Sequence, residues 1–188
     1  VYIPLINAVL EVDWWIIPLV IFVFLGAVNA VNLTDGVDGL CGTVSIPVML
    51  FFTVAAVVKK QYDLALLPAA LAGGLIAYLF FNWHPAKVFM GDTGSLFLGA
   101  ILIGVGIMMD RPVILLLLCG VFILDMLTSL VQIVSIRLFH RRVFRIAPVH
   151  HQFQQMSWSE EKIVYVFGLV GLVFAIIAVL LVICALRV

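Results

Sequence analysis

Three polar clusters interrupt an otherwise apolar sequence, and their residue types could support chemistry. The first is the string NLTDGVDG at residues 32–39, where Asp35 and Asp38 stand three positions apart and would share a face of a helical turn. Gly36 and Gly39 carry no side chain and would let a ligand approach the backbone. Two carboxylates at the end of an apolar segment are costly unless they bind something, which favours a ligand site over a simple exit turn.

The second cluster occupies residues 82–95 and ends where another apolar segment begins. Asp92 could cap that segment as a helix N-cap, or it could bind a hard divalent cation, which prefers oxygen ligands. Gly91 and Gly94 would let a phosphate or sugar come close to the backbone. Phe89 could be a base-stacking platform, although its residue type alone favours a membrane-interface aromatic. Lys87 could pair with a phosphate, but lysine is also common at membrane interfaces.

The third cluster is the string APVHHQ at residues 147–152. Adjacent side chains cannot point the same way on a helix or strand, so His150 and His151 are expected to share one site only if they lie in a loop. A zinc site is disfavoured because no cysteine or third histidine is close. Contact with a phosphate, or proton transfer, suits the pair better.

A fourth feature is Asp125, in the middle of a long apolar segment. Together with Thr128, Ser129 and Gln132 it follows the i, i+3, i+4, i+7 spacing of a single helical face. An ionisable residue inside a membrane helix indicates function by default. An interhelical hydrogen-bond network that only holds the bundle together explains the pattern equally well at this point.

The elements that must position these clusters are membrane helices. The 188 residues are 65% apolar and 11% charged, with a formal net charge of zero and a mean hydropathy of +1.30. Soluble domains are about 45–50% apolar and about 25% charged, so the composition excludes a disordered chain, a basic nucleic-acid binder and an ordinary soluble enzyme. It predicts an all-α polytopic transmembrane bundle forming a single integral membrane domain. The predicted spans are residues 14–32, 40–58, 64–82, 94–110, 112–136 and 163–186.

The connections between these spans differ in charge. With six spans, the first, third and fifth connections share one side, and they carry Lys87, Arg137, Arg141, Arg142, Arg145 and Lys162. The other side carries Lys59, Lys60, Arg111 and Arg187. The positive-inside rule therefore predicts that the odd connections are cytoplasmic. All three polar clusters lie in those connections, which predicts one site at the cytoplasmic face. The cysteines (Cys41, Cys119 and Cys184) show neither disulfide nor metal-site spacing.

The clusters together resemble the polyprenyl-phosphate N-acetylhexosamine-1-phosphate transferase superfamily, and within it the bacterial phospho-N-acetylmuramoyl-pentapeptide transferases. Residues 29–40 (NAVNLTDGVDGL) resemble that family's NLTDG-x-DG motif, and residues 81–99 (FNWHPAKVFMGDTGSLFLG) resemble FN-x-x-PAKVFMGDTGSL. Residues 147–153 (APVHHQF) resemble its P-x-HHH-x-E loop. The resemblance spans nearly the whole chain and implies magnesium-dependent transfer of a sugar phosphate from a UDP-N-acetylmuramoyl-pentapeptide to undecaprenyl phosphate. The implied products are lipid I and UMP.

The resemblance also implies roles for individual residues. Asp92 matches the Mg²⁺ ligand, and Phe89 matches the aromatic that stacks on uracil, which reverses the interface interpretation. Asp35, His150 and His151 join Asp92 as the expected catalytic set, with the histidines near the diphosphate or the metal. Asp125 and Gln132 are expected to support the site. The other residues expected to bind substrate are Asn32, Gly36, Val37, Asp38, Asn82, Lys87, Gly91 and Ser95.

The chain departs from the family pattern in several ways. Gln152 and Gln154 replace the family's third histidine and following acid, which argues against an acid–base role at those positions. Asp125 stands where a glutamate is expected. The family's DD-x-x-K motif is absent, and the family has about ten spans rather than six. We therefore expect the chain to be the C-terminal part of a longer enzyme with about four more spans, and to be catalytically incomplete by itself.

Other functions are weighed against this one. The nearest is a transferase that uses UDP-GlcNAc and a polyprenyl phosphate. A membrane transporter would account for Asp125 and the glycine-interrupted spans, but the polar clusters lie at one face rather than at the midplane. A non-catalytic homologue is the third. The resemblance further implies a bacterial inner-membrane location, contact with the lipid bilayer, nucleoside antibiotics as ligands, a possible homodimer and no nucleic-acid partner.

Overall fold

The computed structural model of the chain describes residues 2–3, 8–9, 13–109 and 112–186. Two short strands, β1 (Tyr2–Ile3) and β2 (Ala8–Val9), pair antiparallel, and a 3₁₀ turn follows at Asp13–Trp15. The other regular elements of the described chain are helices, joined by turns and short connections. The helices are α1 (Ile16–Thr34), α2 (Leu40–Val58), α3 (Tyr62–Asn82), α4 (Gly91–Met108), α5 (Pro112–Leu118), α6 (Gly120–Phe139), α7 (Val149–Gln155) and α8 (Glu160–Leu186).

Six of these helices are long and apolar enough to cross a membrane, which confirms the predicted polytopic bundle. They are α1, α2, α3, α4, α6 and α8. The predicted fifth span is not one continuous helix, because it is interrupted at Cys119 between α5 and α6. Arg111 and Arg187, which contributed to the predicted charge distribution, lie outside the described residues.

Helix α2 lies at the centre of the bundle. It packs against α3 on one side and α8 on another, whereas α1 packs against α4 and α6. In its most apolar window 61% of α2 is buried, compared with 11% of α1. The outward faces of the helices are as apolar as the inner ones, with Phe22, Leu66 and Phe80 all exposed. Helices that are apolar all round are solvated by lipid rather than by water, which suits a membrane protein.

A glycine sets the distance between α1 and α4. A Cβ added at Gly99 would lie 2.8 Å from the Cα of Val28, so only a residue without a side chain permits this approach. The two helices are linked again one turn closer to the polar end, where Asn32 of α1 reaches Ser95 of α4. The close approach at Gly99 therefore positions the polar residues at the end of α1 against those at the start of α4.

Candidate active site

A cleft of about 280 Å³ opens where α1 and α3 end and α4 begins. All nine residues that line it were expected to belong to the site, and they come from the first two polar clusters. The lining residues are Asn32, Asp35, Gly36, Val37, Asp38, Asn82, Phe89, Gly91 and Asp92. Two loops that are about fifty residues apart in sequence therefore form a single cleft.

Asn32 connects the two carboxylate-bearing segments of the cleft. Its Nδ2 donates to Oδ1 of Asp92 at 3.0 Å and to Oγ of Ser95 at 2.9 Å. The buried Ser95 hydroxyl donates in turn to the carbonyl of Gly91 at 3.0 Å. Asn32 and Ser95 therefore hold Asp92 at the first turn of α4.

Asp35 lies close enough to Asp92 for their charges to interact. Burial, and secondarily the negative charge of Asp92, raise the pKa of Asp35 from 3.8 to about 6. Two neighbouring carboxylates with this mutual repulsion are a favourable environment for a cation. The donor set is oxygen-rich, which fits a hard divalent ion such as Mg²⁺, with Asp92 as the expected ligand.

The turn between α1 and α2 requires glycine at one position. Gly39 has a φ of +78° at the start of α2, and its N–H donates to Oδ1 of Asn82 at 2.9 Å. The other end of the Asn82 amide donates to the carbonyl of Val88 at 2.8 Å. Asn82 is buried and both ends of its amide bond to backbone, so it joins the two cleft loops to each other.

Two other expected residues are more exposed. Phe89 lines the cleft with 71% of its surface accessible, so one face of the ring is free to receive a base. Lys87 is exposed and is not among the residues that line the cleft. Gly94, which could have admitted a ligand to the backbone, instead packs against the Met90 side chain.

The third cluster lies against Gly36, one of the cleft residues, although neither of its histidines lines the cleft. A Cβ at Gly36 would lie 2.6 Å from Nε2 of His150 and 3.2 Å from Nε2 of His151. The expectation that the pair needs a loop was wrong, because both histidines lie in the first turn of α7. Their rings are 4.3 Å apart and tilted by 57°, so the two long side chains converge although their backbone positions diverge.

Asp125 is fully buried and bonds to His150. Its Oδ2 lies 2.9 Å from Nδ1 of His150, which is also fully buried. The four residues of the predicted helical face are all buried, as that spacing indicates. Asp125 therefore acts on the site through His150. The sequence left open whether Asp125 serves function or an interhelical hydrogen-bond network. The contact with His150 does both, since it pairs the buried carboxylate and orients a residue of the candidate site.

Gln132 has a different task on the same face of α6. Its Oε1 accepts from the N–H groups of Val143 and Phe144 at 3.2 and 2.9 Å, and its Nε2 donates to the Phe144 carbonyl at 3.0 Å. One side chain thus forms hydrogen bonds with three backbone groups in the segment between α6 and α7. Gln132 supports the site by holding the segment that leads to the histidines.

Three polar residues near the cleft were given no role from sequence. His84, Glu160 and Gln154 form hydrogen bonds that connect Asp38 with His151. His84 stands within the second cluster, and Glu160 is an acid in the first turn of the last span. Their sequence signals were weak because the partners are distant in the chain.

The structure is that of a multi-helix membrane protein whose carboxylates, exposed aromatic and paired histidines gather at one end of the bundle. The chain belongs to glycosyl transferase family 4, whose family model matches residues 1–110.

Comparison with curated proteins points to one branch. The chain is similar to the phospho-N-acetylmuramoyl-pentapeptide-transferase of Caldicellulosiruptor bescii, with 38% identity over 178 residues, covering 95% of this chain and 56% of the relative. The protein of that name from Clostridium perfringens strain 13 is 43% identical over 176 residues, covering 94% and 56%. The one from Carboxydothermus hydrogenoformans is 46% identical over 158 residues, covering 84% and 49%. The chain spans about half the length of these relatives.

Proposed function

We propose that the chain forms the nucleotide-binding part of an enzyme that transfers phospho-N-acetylmuramoyl-pentapeptide from its UDP-linked donor to undecaprenyl phosphate. The products would be lipid I and UMP. The observation that carries the proposal is the convergence of three polar clusters, which are distant in the sequence, around the cleft at Gly36. The similarity to relatives named for this transfer supports it. Because the chain spans about half their length, the activity is proposed for the whole protein.

The cleft residues divide into two groups by chemistry. Gly36, Val37 and Asp38 would receive the uracil, with the exposed Phe89 ring stacking on it. Asn32, Asp35 and Gly91 would lie along the ribose and phosphates, supported by Asn82 and Ser95. Lys87, outside the cleft lining, would meet a part of the donor that extends beyond it.

The phosphate end of the cleft needs positive charge. Asp92 would hold a Mg²⁺ ion beside Asp35, and the chemistry supplied there is neutralisation of charge on the diphosphate during phosphoryl transfer. Asn32 orients Asp92 for this role. His150 and His151 would lie near the diphosphate. Each directs Nε2 towards Gly36, and Nε2 of His150 is buried. Phosphoryl transfer depends mainly on positioning and electrostatics, which these groups provide.

The position of the cleft suits two substrates of opposite polarity. It lies at the ends of the membrane helices, so a soluble nucleotide sugar could enter from water and a lipid phosphate from the bilayer. We place this end at the cytoplasmic face of a bacterial inner membrane, because the basic residues concentrate there. The same nucleotide cleft would be the site for nucleoside antibiotics. A homodimer is compatible with the exposed apolar faces.

Replacement of Asp92 by Asn tests the proposal. In membranes carrying the native protein, we expect wild type to release UMP from UDP-N-acetylmuramoyl-pentapeptide in a Mg²⁺- and lipid-dependent way. Asp92→Asn should lower that rate by at least about a hundredfold, because the nearly isosteric amide is a much weaker cation ligand. Asp63→Asn, on the exposed first turn of α3, is the matched control. Transfer from UDP-GlcNAc alone, or full activity in Asp92→Asn, would contradict the proposal.

A further inference from the structure

A line of hydrogen bonds connects Asp38, which lines the cleft, with the histidine pair, and the residues between them do not line the cleft. It begins at Asp38, whose Oδ2 lies 3.2 Å from Nδ1 of His84 and accepts from the Ala86 N–H at 3.0 Å. The same Nδ1 of His84 lies 3.1 Å from Oε2 of Glu160, at the start of α8. His84 therefore bridges a carboxylate in the turn before α2 and a carboxylate at the start of α8.

The line continues from the other oxygen of Glu160. Its Oε1 accepts from Nε2 of Gln154 at 3.3 Å, and Oε1 of Gln154 lies 2.6 Å from Nδ1 of His151. Glu160 and Gln154 use a different atom for each of their two links, whereas His84 uses Nδ1 for both. His84, Glu160 and Gln154, here named the bridging chain, thus connect Asp38 to His151.

The donors and acceptors of the bridging chain determine the state of His151. An ionised carboxylate can only accept hydrogen bonds, so Glu160 requires the NH₂ group of Gln154 to face it. The amide oxygen of Gln154 must then face His151, and Nδ1 of His151 must carry the hydrogen. In the neutral ring, Nε2 is left with its lone pair directed towards Gly36.

His150 reaches the same state by a separate route. Oδ2 of Asp125 accepts from its Nδ1 inside the bundle, and its buried Nε2 has no partner within the described residues. Two unrelated carboxylates, Asp125 and Glu160, therefore impose the same tautomer on adjacent histidines. Both rings direct the same nitrogen towards Gly36, which lines the cleft.

The other end of the bridging chain acts on Asp38. Both of its hydrogen bonds fall on Oδ2, so Oδ1 has no hydrogen-bond partner in the part of the chain that the structure describes. Asp38 lines the cleft, where a free carboxylate oxygen can accept from a ligand N–H. Anchoring one oxygen would fix the direction of the other.

We propose that the bridging chain is a positioning device that orients Asp38 at one end and sets the Nδ1–H tautomer of His151 at the other. The inference deepens the proposed function, on which its kinetic part rests. His84, Glu160 and Gln154 are positioning residues in this scheme, because they act through Asp38 and His151 and not on the substrate. Gln154, an amide where the family has an acid, is well suited to the task, since it relays direction without adding charge.

The tautomer can be measured without any assay of activity. The native protein, labelled with ¹⁵N-histidine in lipid, contains His84, His140, His150 and His151, and a His151→Gln variant assigns the signal of His151. We expect His151 to give the Nδ1–H tautomer in wild type. In Glu160→Gln, a second amide can donate or accept, so we expect a mixture of tautomers.

Glu161→Gln is the matched control, because Glu161 is the exposed neighbour of Glu160 on the same helical turn. It should leave the His151 signal unchanged. An Nε2–H tautomer in wild type, or identical His151 signals in wild type and Glu160→Gln, would overturn the proposal. If Glu160→Gln is not monodisperse in detergent, Gln154→Leu replaces it in the same measurement.

Kinetics separate the two ends of the bridging chain. His84→Phe keeps a ring but has no donor, and it should raise the KM for the UDP-linked donor about tenfold while kcat changes less than about threefold. Gln154→Leu should lower kcat about tenfold with the donor KM nearly unchanged. His84→Gln, which retains an N–H donor, should restore most of the lost donor affinity. Equal effects on KM and kcat in both variants would contradict separate roles.

Failure of this inference is distinguishable from failure of the proposed function. A wild-type protein that transfers no sugar phosphate refutes the function but leaves the tautomer measurement valid. Asp38, His84 and Glu160 also offer ligand atoms within 4.8 Å of one another. A stoichiometric divalent metal that is lost in His84→Phe would overturn the hydrogen-bonded chain in favour of a metal bridge.

Discussion

At the scale of single residues, the site depends on polar groups held in an apolar surrounding. Buried polar groups are costly unless they are paired, and a carboxylate is the most costly of them. Asp125 meets part of this cost with one short contact from Oδ2 to His150, while its buried Oδ1 has no partner among the described residues. Asn82 meets the cost by bonding to backbone at both ends of its amide. Asp35 is the exception, because burial and the neighbouring carboxylate of Asp92 both disfavour its charged form. The pairing that stabilises the fold therefore orients the site, whereas the unrelieved repulsion at Asp35 leaves room for a cation.

The pKa of Asp35 leads to a prediction about stability and pH. Since the folded state raises that pKa from 3.8 to about 6, the folded state binds the proton more tightly than the unfolded state does. The resulting stability is fully present below about pH 4 and is lost as the pH rises through about 6. With a chelator present, the Tm of wild type should fall more between pH 4.5 and 7.5 than that of Asp35→Asn.

Asp63→Asn is the control for this measurement, because Asp63 lies on α3 away from the cleft lining. Its Tm should follow the wild-type curve. Parallel curves for wild type and Asp35→Asn would show that burial and the charge of Asp92 do not raise the pKa of Asp35. Addition of Mg²⁺ at pH 7.5 should raise the Tm of wild type more than that of Asp35→Asn.

At the scale of elements, the register of α1 against α4 decides whether the cleft exists. The two helices run antiparallel. The contact of Val28 with Gly99 and the contact of Asn32 with Ser95 are therefore one turn apart in each helix. One helical turn rises about 5.4 Å, so a shift of one turn would remove Asn32 from Asp92. The glycine is therefore a condition for the hydrogen bonds at the polar end, although it touches no ligand.

Gly99→Val tests this dependence. A Cβ at residue 99 would lie 2.8 Å from the Val28 backbone, which cannot move aside as a side chain can, so the helices must separate. We expect a loss of about 1–3 kcal/mol of stability, typical of overpacking, and a loss of UDP binding measured by calorimetry.

Gly104→Val provides the matched control on the same helix. A Cβ at Gly104 would meet no atom within 4 Å in the described structure, so the substitution carries the same change in helix propensity without the clash. Its UDP affinity should equal that of wild type. If both variants bind UDP equally well, the contact at Gly99 does not position the cleft.

At the scale of the whole molecule, polarity is separated along the membrane normal. Apart from the buried polar face of α6, the six membrane helices are apolar on both their inner and outer faces, and the polar clusters gather at one end of the bundle. The basic residues of the odd connections lie at that same end. A site at the end of a bundle can be open to water and lipid at once, which a site at the midplane cannot.

The direction of the molecule in the membrane is testable with cysteine accessibility. In cells, a membrane-impermeant thiol reagent should label Gln61→Cys, in the connection between α2 and α3, without permeabilisation. Arg142→Cys, in the connection between α6 and α7, should be labelled only after permeabilisation, because the positive-inside rule places it in the cytoplasm. Both positions are exposed in the structure. The reverse labelling pattern would place the cleft on the outer face.

Much of the architecture was predictable from the sequence, and so was the lining of the cleft. Long apolar segments predict membrane helices from length and composition alone, and the six candidates agree with the predicted spans to within a few residues, apart from the break at Cys119. Every residue lining the cleft was expected from two local strings. The pairing of Asp125 with His150 was not predictable, because the two residues lie on separate helices. The sequence pattern around each residue contains no information about the position of the other.

The sequence by itself determined where the polar groups stand, since a hydrophobic solvent tolerates them only at helix ends or in pairs. Only the tertiary structure decided which of those groups meet. His84, Glu160 and Gln154 became part of the site because the segment after α3 meets α7 and α8. The convergence of His150 and His151 on Gly36 likewise depends on where α7 packs. The physical reason is range: hydropathy acts residue by residue along the chain, whereas a hydrogen bond depends on the distance and direction between two atoms.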